Sequence, residues 1–259
     1  MKQIYSNYKN EDHKVWEILF DRQVRNLSKV ASADYINGIS KVGFVRDKIP
    51  DFEITNKLLL EQTGWVLHVV PGIIPVKDFF ELLIQKKFSA TTWLRKMHQL
   101  DYIEEPDMFH DVFGHVPLLS NHAFSEFIHG LSKIAMKHID NDFAMEILGR
   151  MYWFTLEFGL IKENNPSVLR TSPLETRGEI PSHECIKIYG AGICSSVGET
   201  KHSLSDASQK IPFDVKTILN TSFQNDRIQD KYFVIDSFEQ LFESLPLIEK
   251  ELEHILKEV

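Results

Sequence analysis

The segment FHDVFGHVPLL, residues 109–119, carries residue types that bind metal ions. His110 and His115 lie five positions apart in apolar surroundings. On a straight α-helix this spacing separates two side chains by about 140° around the axis, so the two imidazoles would not share a face. We therefore expect the helix to end near Gly114 and the chain to turn before Pro117, which would return His115 to the side of His110.

A third metal ligand is predicted in MYWFTLEFGLI, where Glu157 stands among aromatic and aliphatic residues. An ionised carboxylate buried in such a segment needs a cation or strong hydrogen-bond donors. Two histidines and one carboxylate leave further metal positions open, as in non-haem iron(II) enzymes that activate oxygen. The spacing also allows a polar helix stripe of Glu146, Arg150 and Glu157, with the histidines as ordinary core residues. From the spacing alone, both interpretations stay open.

Hydrophobic periodicity predicts the elements that must position these residues. Helical spacing recurs in most of the chain, and only a few segments are rich in β-forming residues. Helices are expected in residues 11–38, in VRDKIPDFEITNKLLLEQTG up to Gly64, in VKDFFELLIQKKF, AFSEFIHGLSKIAMKHI and DFAMEILGRMYWFTLEFGLI, and strand-like segments in WVLHVV, CIKIYGAGICSSVGET and KYFVI. The predicted fold is mainly α with a few short β-strands (α+β), in a single domain over residues 1–259. We expect a flexible tail over residues 1–15 and a C-terminal helix over residues 237–259.

Composition narrows the classes of partner. The formal net charge is −8 and no block of five or more basic residues occurs, which argues against nucleic acid as a partner. The most apolar run, GWVLHVVPGIIPV, is too short to span a bilayer and contains two prolines, so no membrane association is expected. The chain has two cysteines and no secretory signal pattern, which favours a cytoplasmic location.

Three longer motifs sharpen the metal hypothesis. EEPDMFHDVFGHVPLL, RMYWFTLEFGL and YGAGICSSVGET follow one another in the chain. They resemble the signature blocks of the pterin-dependent aromatic amino acid hydroxylases, and the similarity extends from IPDF (49–52) to YFVI (232–235). The short bacterial phenylalanine hydroxylases are the most similar members. The resemblance implies the catalytic domain of that family, with iron(II) held by His110, His115 and Glu157, a tetrahydropterin (tetrahydrobiopterin or a relative) as cofactor and O2 as co-substrate.

The resemblance also assigns residues to the pterin. The family's pterin loop matches VPGIIPVKDFF, which places backbone contacts near Gly72 and Ile74 and a stacking ring at Phe79. Tyr152 matches another residue beside the pterin. Asp111 stands where many members have a glutamate that reaches the pterin through water, and its shorter side chain leaves that geometry open.

A further set is implied for the amino acid substrate. Arg95, twelve residues before Asp107, matches the arginine that binds the substrate carboxylate, and Asp107 would hold its guanidinium in place. Ser195 matches an assisting serine. Trp153 matches the wall of the substrate pocket, where tryptophan is typical of phenylalanine hydroxylases, and Val234 points the same way. Without the resemblance, Arg95 would be interpreted as a surface arginine, Asp107 as a helix cap and the other three as loop or core residues.

The activity implied is the hydroxylation of a free aromatic amino acid, first of all phenylalanine to tyrosine. Hydroxylation of tryptophan, or mixed specificity for both rings, is the alternative within the family. Two hypotheses come from other classes: a zinc hydrolase that uses the same ligands with Asp111 or another acid as general base, and a non-catalytic protein that binds metal and pterin.

The ends of the chain suggest its organisation. The catalytic block begins within about fifty residues of the start, which leaves no room for the N-terminal regulatory domain of animal members. Near the other end, leucines and isoleucines at 241, 245, 248, 252 and 255 are spaced like a short coiled-coil seam. Pro246 interrupts this seam, and we favour packing of these residues on the same domain. We expect a monomer, with a dimer as the alternative.

Overall fold

The computed structural model describes residues 1–101, 103–164 and 184–258. The α-helices, numbered along the chain, are α1 (Asn10–Leu27), α2 (Ala33–Lys41), α3 (Phe52–Gln62), α4 (Val76–Leu83), α5 (Val116–Leu119), α6 (His122–Lys137), α7 (Asp142–Tyr152), α8 (Ala191–Cys194), α9 (Val197–Ser203), α10 (Val215–Leu219), α11 (Phe238–Glu243) and α12 (Leu245–Lys257). The strands are β1 (Val66–Val69), β2 (Lys87–Ala90), β3 (Leu160–Asn164), β4 (Glu184–Ile188), β5 (Gln209–Pro212) and β6 (Lys231–Ile235). The predicted fold class, mainly α with a few short strands, is confirmed.

Two π-helical turns interrupt this pattern, Phe109–Gly114 and Trp153–Glu157. Both lie in segments that the sequence marks as candidates for metal binding. The first runs into α5, and the second continues α7.

Several helices begin where the sequence supplies a capping side chain. Asp51, Asn121 and Asn141 accept hydrogen bonds from backbone N–H groups in the first turns of α3, α6 and α7. These caps satisfy amides that have no partner within the helix. The caps of α6 and α7 fix the starts of two helices that carry many buried residues.

The strands form two small sheets. β1 and β2 pair in parallel, and β4-β3-β6-β5 is the order of the second sheet. β3 pairs antiparallel with β4 and parallel with β6, so that Leu160 lies between Ile188 and Val234. Leu160 follows the second π-helical turn closely, and its pairing on both sides fixes the point where the helix gives way to the sheet.

The prediction of a flexible N-terminal tail over residues 1–15 is wrong. Residues 5–7 form a 3-10 turn, and α1 already begins at Asn10. The Tyr5 hydroxyl donates to the carbonyl of Ile49 at 2.8 Å, and the Tyr8 hydroxyl donates to that of Thr92 at 2.7 Å. The polar composition of this segment suggested a tail, but the rings of both tyrosines pack on the core and their hydroxyls donate to backbone carbonyls.

Other boundaries also differ. The helix expected over DFAMEILGRMYWFTLEFGLI ends at Glu157, and Leu160 and Ile161 belong to β3, because a segment buried on every side shows no periodicity that separates helix from strand. The end of VKDFFELLIQKKF and the residues after it form β2 rather than helix. The segment CIKIYGAGICSSVGET was expected to be strand-like. Only its CIKI part lies in a strand, β4, and the rest contains α8 and α9.

The C-terminal helix over 237–259 is two helices, α11 and α12, which meet at Ser244 just before Pro246. The five seam residues are buried in, or packed against, the core of their own chain. Within the described residues, no helix is long and apolar enough to cross a bilayer.

Candidate metal centre

The three predicted ligands come together in the structure. Nε2 of His115 lies 3.1 Å from Oε1 of Glu157, and Nε2 of His110 lies 3.7 Å from Oε2 of the same carboxylate. One ligand atom from each residue lies within 4.8 Å of the others. Two donors that each bind one ion at about 2.1 Å and at right angles are about 3 Å apart, so this spacing fits a shared metal ion.

The π-helix explains why histidines five apart converge. We expected the helix to end near Gly114 and the chain to turn, and this is wrong: the first π-helical turn spans Phe109–Gly114, and His115 retains helical backbone angles. Hydrogen bonds in a π-helix close between residues five apart, so that residues at this spacing come to nearly the same face. The histidine rings are consequently 5.2 Å apart between centroids.

The second ligand segment has the same geometry. The N–H of Phe158 donates to the carbonyl of Trp153 at 2.9 Å, a bond between residues five apart that closes the π-turn. Glu157 is the last residue of this turn. The polar stripe considered from the sequence forms only in part, since Arg150 pairs with Glu146 at 2.8 Å while Glu157 faces the histidines.

Glycines allow the backbone to pack tightly around Glu157. A Cβ atom on Gly190 would lie 2.4 Å from the carbonyl oxygen of Glu157 and 2.5 Å from the nitrogen of Gly159. Only glycine can occupy such a position without moving the backbone of the ligand segment. This close approach gives the glycine-rich YGAG motif a role in placing the carboxylate.

The electrostatic environment keeps Glu157 ionised. Burial alone raises the pKa of Glu157, but His115, His110 and hydrogen bonds from His115 and the backbone N–H of Gly192 lower the pKa to about 2. The side chain is only 13% exposed. A buried carboxylate opposite two imidazoles is the donor set of a divalent metal ion, and two nitrogens with one oxygen suit iron(II).

Ser195 contacts His110 directly. Oγ of Ser195 lies 3.0 Å from Nδ1 of His110, and the Ser195 hydroxyl donates to the carbonyl of Ala191 at 2.8 Å. The hydroxyl must then accept from Nδ1–H, which leaves Nε2 of His110 as the free donor for a metal.

A cavity of about 250 Å³ opens onto the three ligands. Its wall contains every residue predicted to bind pterin: Gly72, Ile74, Phe79, Asp111 and Tyr152. The rings of Phe79 and Tyr152 meet edge to face at 5.3 Å. The cavity can therefore hold a flat, polar ring system next to the metal position.

Asp111 lines this cavity but is tied to the end of β2. Its Oδ2 atom accepts the backbone N–H of Thr91 at 2.8 Å. Burial raises the pKa of Asp111, while His110, Thr91 and His115 lower it. Because Asp111 lines the cavity, its position is compatible with the predicted contact to the pterin through water.

Arg95 and Asp107 form a buried pair beside His110. Nε and Nη2 of Arg95 donate to the two oxygens of Asp107 at 2.8 and 2.9 Å, and Arg95 is only 8% exposed, so it is not a surface arginine. Asp107 also accepts the backbone N–H of His110 at 3.2 Å, so the helix-cap interpretation holds as well. Nη1 of Arg95 has no hydrogen-bond partner in the part of the chain that the structure describes, and it remains able to donate to a ligand.

Trp153 is half-buried and does not line the cavity. Its ring stacks on Phe223, with centroids 4.4 Å apart and an angle of 15° between planes, and it packs against Phe158 at 4.7 Å. Its indole N–H donates to Oε1 of Gln229 at 2.9 Å. Val234 is buried in β6 beside Leu160.

Sequence reasoning missed several residues of the site. Phe88 packs on His115 at 4.9 Å between ring centroids, and Thr91 holds Asp111. Both belong to KFSATT, in which buried residues alternate with less buried ones along β2. The alternation of polar and apolar residues in KFSA predicts a strand, but it does not indicate that Phe88 or Thr91 lies at the cavity. Gln229 had no signal in the sequence.

Comparison with known proteins gives a consistent result. Residues 2–257 match the family model described as biopterin-dependent aromatic amino acid hydroxylase. The chain is 41% identical over 245 residues to the phenylalanine-4-hydroxylase of Ralstonia nicotianae. The aligned region covers 94% of this chain and 72% of the relative.

The structure is also similar to solved structures of phenylalanine hydroxylase from Chromobacterium violaceum. One of these has bound iron(III) and oxidised 7,8-dihydrobiopterin, with a TM-score of 0.86 and 38% identity, covering 100% of this chain and 86% of the other. Another has bound iron and phenylalanine, with a TM-score of 0.82 and 37% identity, covering 98% and 87%.

Proposed function

The chain belongs to the biopterin-dependent aromatic amino acid hydroxylases, and on this premise we propose that it hydroxylates free phenylalanine to tyrosine. The reaction uses iron(II), a tetrahydropterin and O2. The observation that carries the proposal is the convergence of His110, His115 and Glu157 at the cavity lined by the predicted pterin residues.

The proposed division of work follows from the geometry. His110, His115 and Glu157 hold the metal through two nitrogens and one oxygen. When bound, iron(II) would activate O2 and the tetrahydropterin would supply the two electrons, so that one oxygen atom enters the ring of the substrate and the other is transferred to the pterin as a hydroxyl group. Phe79 and Tyr152 offer aromatic faces and edges to the pterin, and the burial of the ligands limits the access of water.

Arg95 is the proposed anchor for the substrate carboxylate. Asp107 occupies its Nε and Nη2 donors, so the carboxylate would bind at Nη1 and the second hydrogen of Nη2. This pairing fixes the orientation of the guanidinium before the substrate binds, which reduces the entropic cost of binding. The anchor is coupled to the metal site, because Asp107 also accepts the backbone N–H of His110.

Phenylalanine is favoured over tryptophan as the substrate. The relative from Ralstonia nicotianae is named phenylalanine-4-hydroxylase, and phenylalanine is bound in one structure of the Chromobacterium violaceum protein. The comparisons do not favour the zinc hydrolase, because residues 2–257 match the hydroxylase family.

We further propose that the chain acts as a monomer in one catalytic domain. Leu241, Ile248 and Leu252 of the seam are fully buried within the same chain and are not free to pair with a second copy. Sedimentation at several concentrations tests this, and a mass that doubles with concentration would refute it.

The activity is tested by omission. Protein loaded anaerobically with iron(II) receives tetrahydrobiopterin, oxygenated buffer and phenylalanine, tryptophan or tyrosine in separate reactions, and products are separated by chromatography. We expect tyrosine from phenylalanine only when iron and pterin are both present, and a lower yield from tryptophan. Stoichiometric iron with no hydroxylated product from any ring would refute the proposal.

A further inference from the structure

A loop between α10 and β6 holds the side chain of Trp153 by face and edge. Phe223 stacks on the indole, and Gln229 accepts its N–H at 2.9 Å. We call residues 223–229 the indole loop. The π-turn fixes the backbone of Trp153. The position of its ring then depends on this loop and on Phe158, which packs against the ring at 4.7 Å.

The carboxamide of Gln229 has one defined orientation. Its Nε2 group donates to two carbonyls of the same loop, Gln224 at 2.8 Å and Arg227 at 3.0 Å. With both donors engaged inside the loop, Oε1 is the atom that faces the indole. Gln229 is 6% exposed, so water does not readily replace this acceptor.

The loop is anchored to the body of the protein by a buried carboxylate. Oε1 of Glu199 accepts the backbone N–H of Gln229 at 3.2 Å, and Oε2 accepts the hydroxyl of Tyr232 at 2.6 Å. Glu199 lies in α9, soon after the segment whose Ser195 contacts His110. The indole loop is therefore connected to the elements that carry the metal centre.

We infer that Gln229 is a positioning residue for the aromatic ring of the substrate, and that it acts through the indole of Trp153. This inference rests on the proposed function and on the family resemblance, which assigns Trp153 to the wall of the substrate pocket. Without an acceptor at 229, the indole N–H loses its partner and the ring can turn away from Phe223. The wall then fits phenylalanine less closely and discriminates less against a larger ring.

The test is a double-mutant cycle between Gln229→Leu and Trp153→Phe. Gln229→Leu should raise KM for phenylalanine about three- to tenfold, the range that corresponds to one net hydrogen bond, with a smaller change in kcat. It should also lower the preference for phenylalanine over tryptophan in kcat/KM. In the Trp153→Phe background, which lacks the indole N–H, the same substitution should change KM less than about twofold.

Controls separate positioning from general damage. Arg227→Ala alters an exposed side chain of the same loop and should leave KM and ring preference unchanged. Amide spectra of protein labelled with 15N in its tryptophans report the Trp153 indole N–H directly, and its resonance should shift and exchange faster in Gln229→Leu. Thermal unfolding identifies a variant that fails to fold, and Gln229→Met then takes its place as an unbranched substitute.

The outcomes distinguish the inference from the proposed function. Wild-type protein without hydroxylase activity refutes the proposed function, and the inference with it. If the wild-type protein is active and the Gln229→Leu variant shows the shifted, faster-exchanging indole resonance yet keeps KM and ring preference, the inference alone is refuted. An equal effect of Gln229→Leu with and without the indole also refutes it, because Gln229 would then act through another contact.

Discussion

The hydroxyl of Ser195 accepts from Nδ1–H of His110 at 3.0 Å while it donates to the carbonyl of Ala191 at 2.8 Å. The resemblance assigned Ser195 to the substrate, and the structure places it against a predicted metal ligand. Partners of this kind fix the tautomer and the orientation of an imidazole that binds metal.

Ser195→Ala should therefore weaken the binding of iron(II) about 10- to 100-fold, because the His110 ring loses the group that holds its Nδ1–H. Anaerobic titration of iron(II) against a competing chelator measures the affinity. Ser40→Ala, which alters an exposed serine, serves as the control and should bind iron like the wild type. Equal affinity in the Ser195 variant and the control would contradict this role.

Gly190→Ala should disrupt the metal site, because the added methyl group would lie 2.4 Å from the carbonyl oxygen of Glu157. We expect a loss of about 2 kcal/mol or more in the free energy of unfolding, from overpacking against backbone, together with weaker iron binding. Gly149→Ala is the matched control, since a methyl there meets nothing within 4 Å and favours the helix. Urea unfolding that ranks Gly190→Ala as stable as Gly149→Ala would show that the close approach is not restrictive.

Arg95→Lys should raise KM for phenylalanine about tenfold and leave KM for the tetrahydropterin unchanged. Lysine keeps the charge but cannot donate to Asp107 and to a second carboxylate in two planar pairs. Steady-state kinetics with each substrate varied in turn separates the two constants. Arg22→Lys, a change at a more exposed ion pair with Asp101, is the control. A selective increase in the KM for the tetrahydropterin would contradict the assignment of Arg95 to the substrate carboxylate.

Glu199→Gln should become more stable relative to the wild type as pH rises. Burial raises the pKa of Glu199, although Tyr232, Gln229 and His202 lower it in part. A carboxyl group with a raised pKa contributes its stability below the unfolded pKa and loses it as pH rises through the folded pKa. Urea unfolding between about pH 4 and pH 8 measures the difference, since an unperturbed glutamate titrates near the lower limit.

Glu126→Gln supplies a control with the opposite sign. The hydrogen bond from Lys86 lowers the pKa of Glu126, so this carboxylate stabilises the fold above its unfolded pKa and loses that contribution as pH falls. The Glu126→Gln variant should thus become less stable relative to the wild type as pH rises. Differences that run in the same direction for both variants would contradict the assignment.

The sequence predicted the residues of the candidate site better than the path of the backbone between them. His110, His115 and Glu157 were identified from their types and surroundings, and the structure brings them together. The conformation was mispredicted, since α-helical geometry places His110 and His115 on different faces. The π-turn that joins them is stabilised by packing from distant segments, such as Ala191 on Gly114, and local propensity does not report this.

Contacts between segments far apart in sequence account for the other omissions. Gln229 meets Trp153 only because the loop before β6 folds back over the second π-turn. Arg95 carries no sign in the sequence that it is buried, and its burial follows from pairing with Asp107. Such pairings become visible only when the topology is known.

The most direct test of the account is the origin of the oxygen atom in the product. Protein loaded with iron(II) is given tetrahydrobiopterin and phenylalanine under 18O2 in ordinary water, and the tyrosine is analysed by mass spectrometry. We predict one 18O atom in each tyrosine formed, and no tyrosine from a Glu157→Ala variant or from zinc-loaded protein. Tyrosine without the label, or labelled tyrosine formed equally by the variant, would contradict oxygen activation at His110, His115 and Glu157.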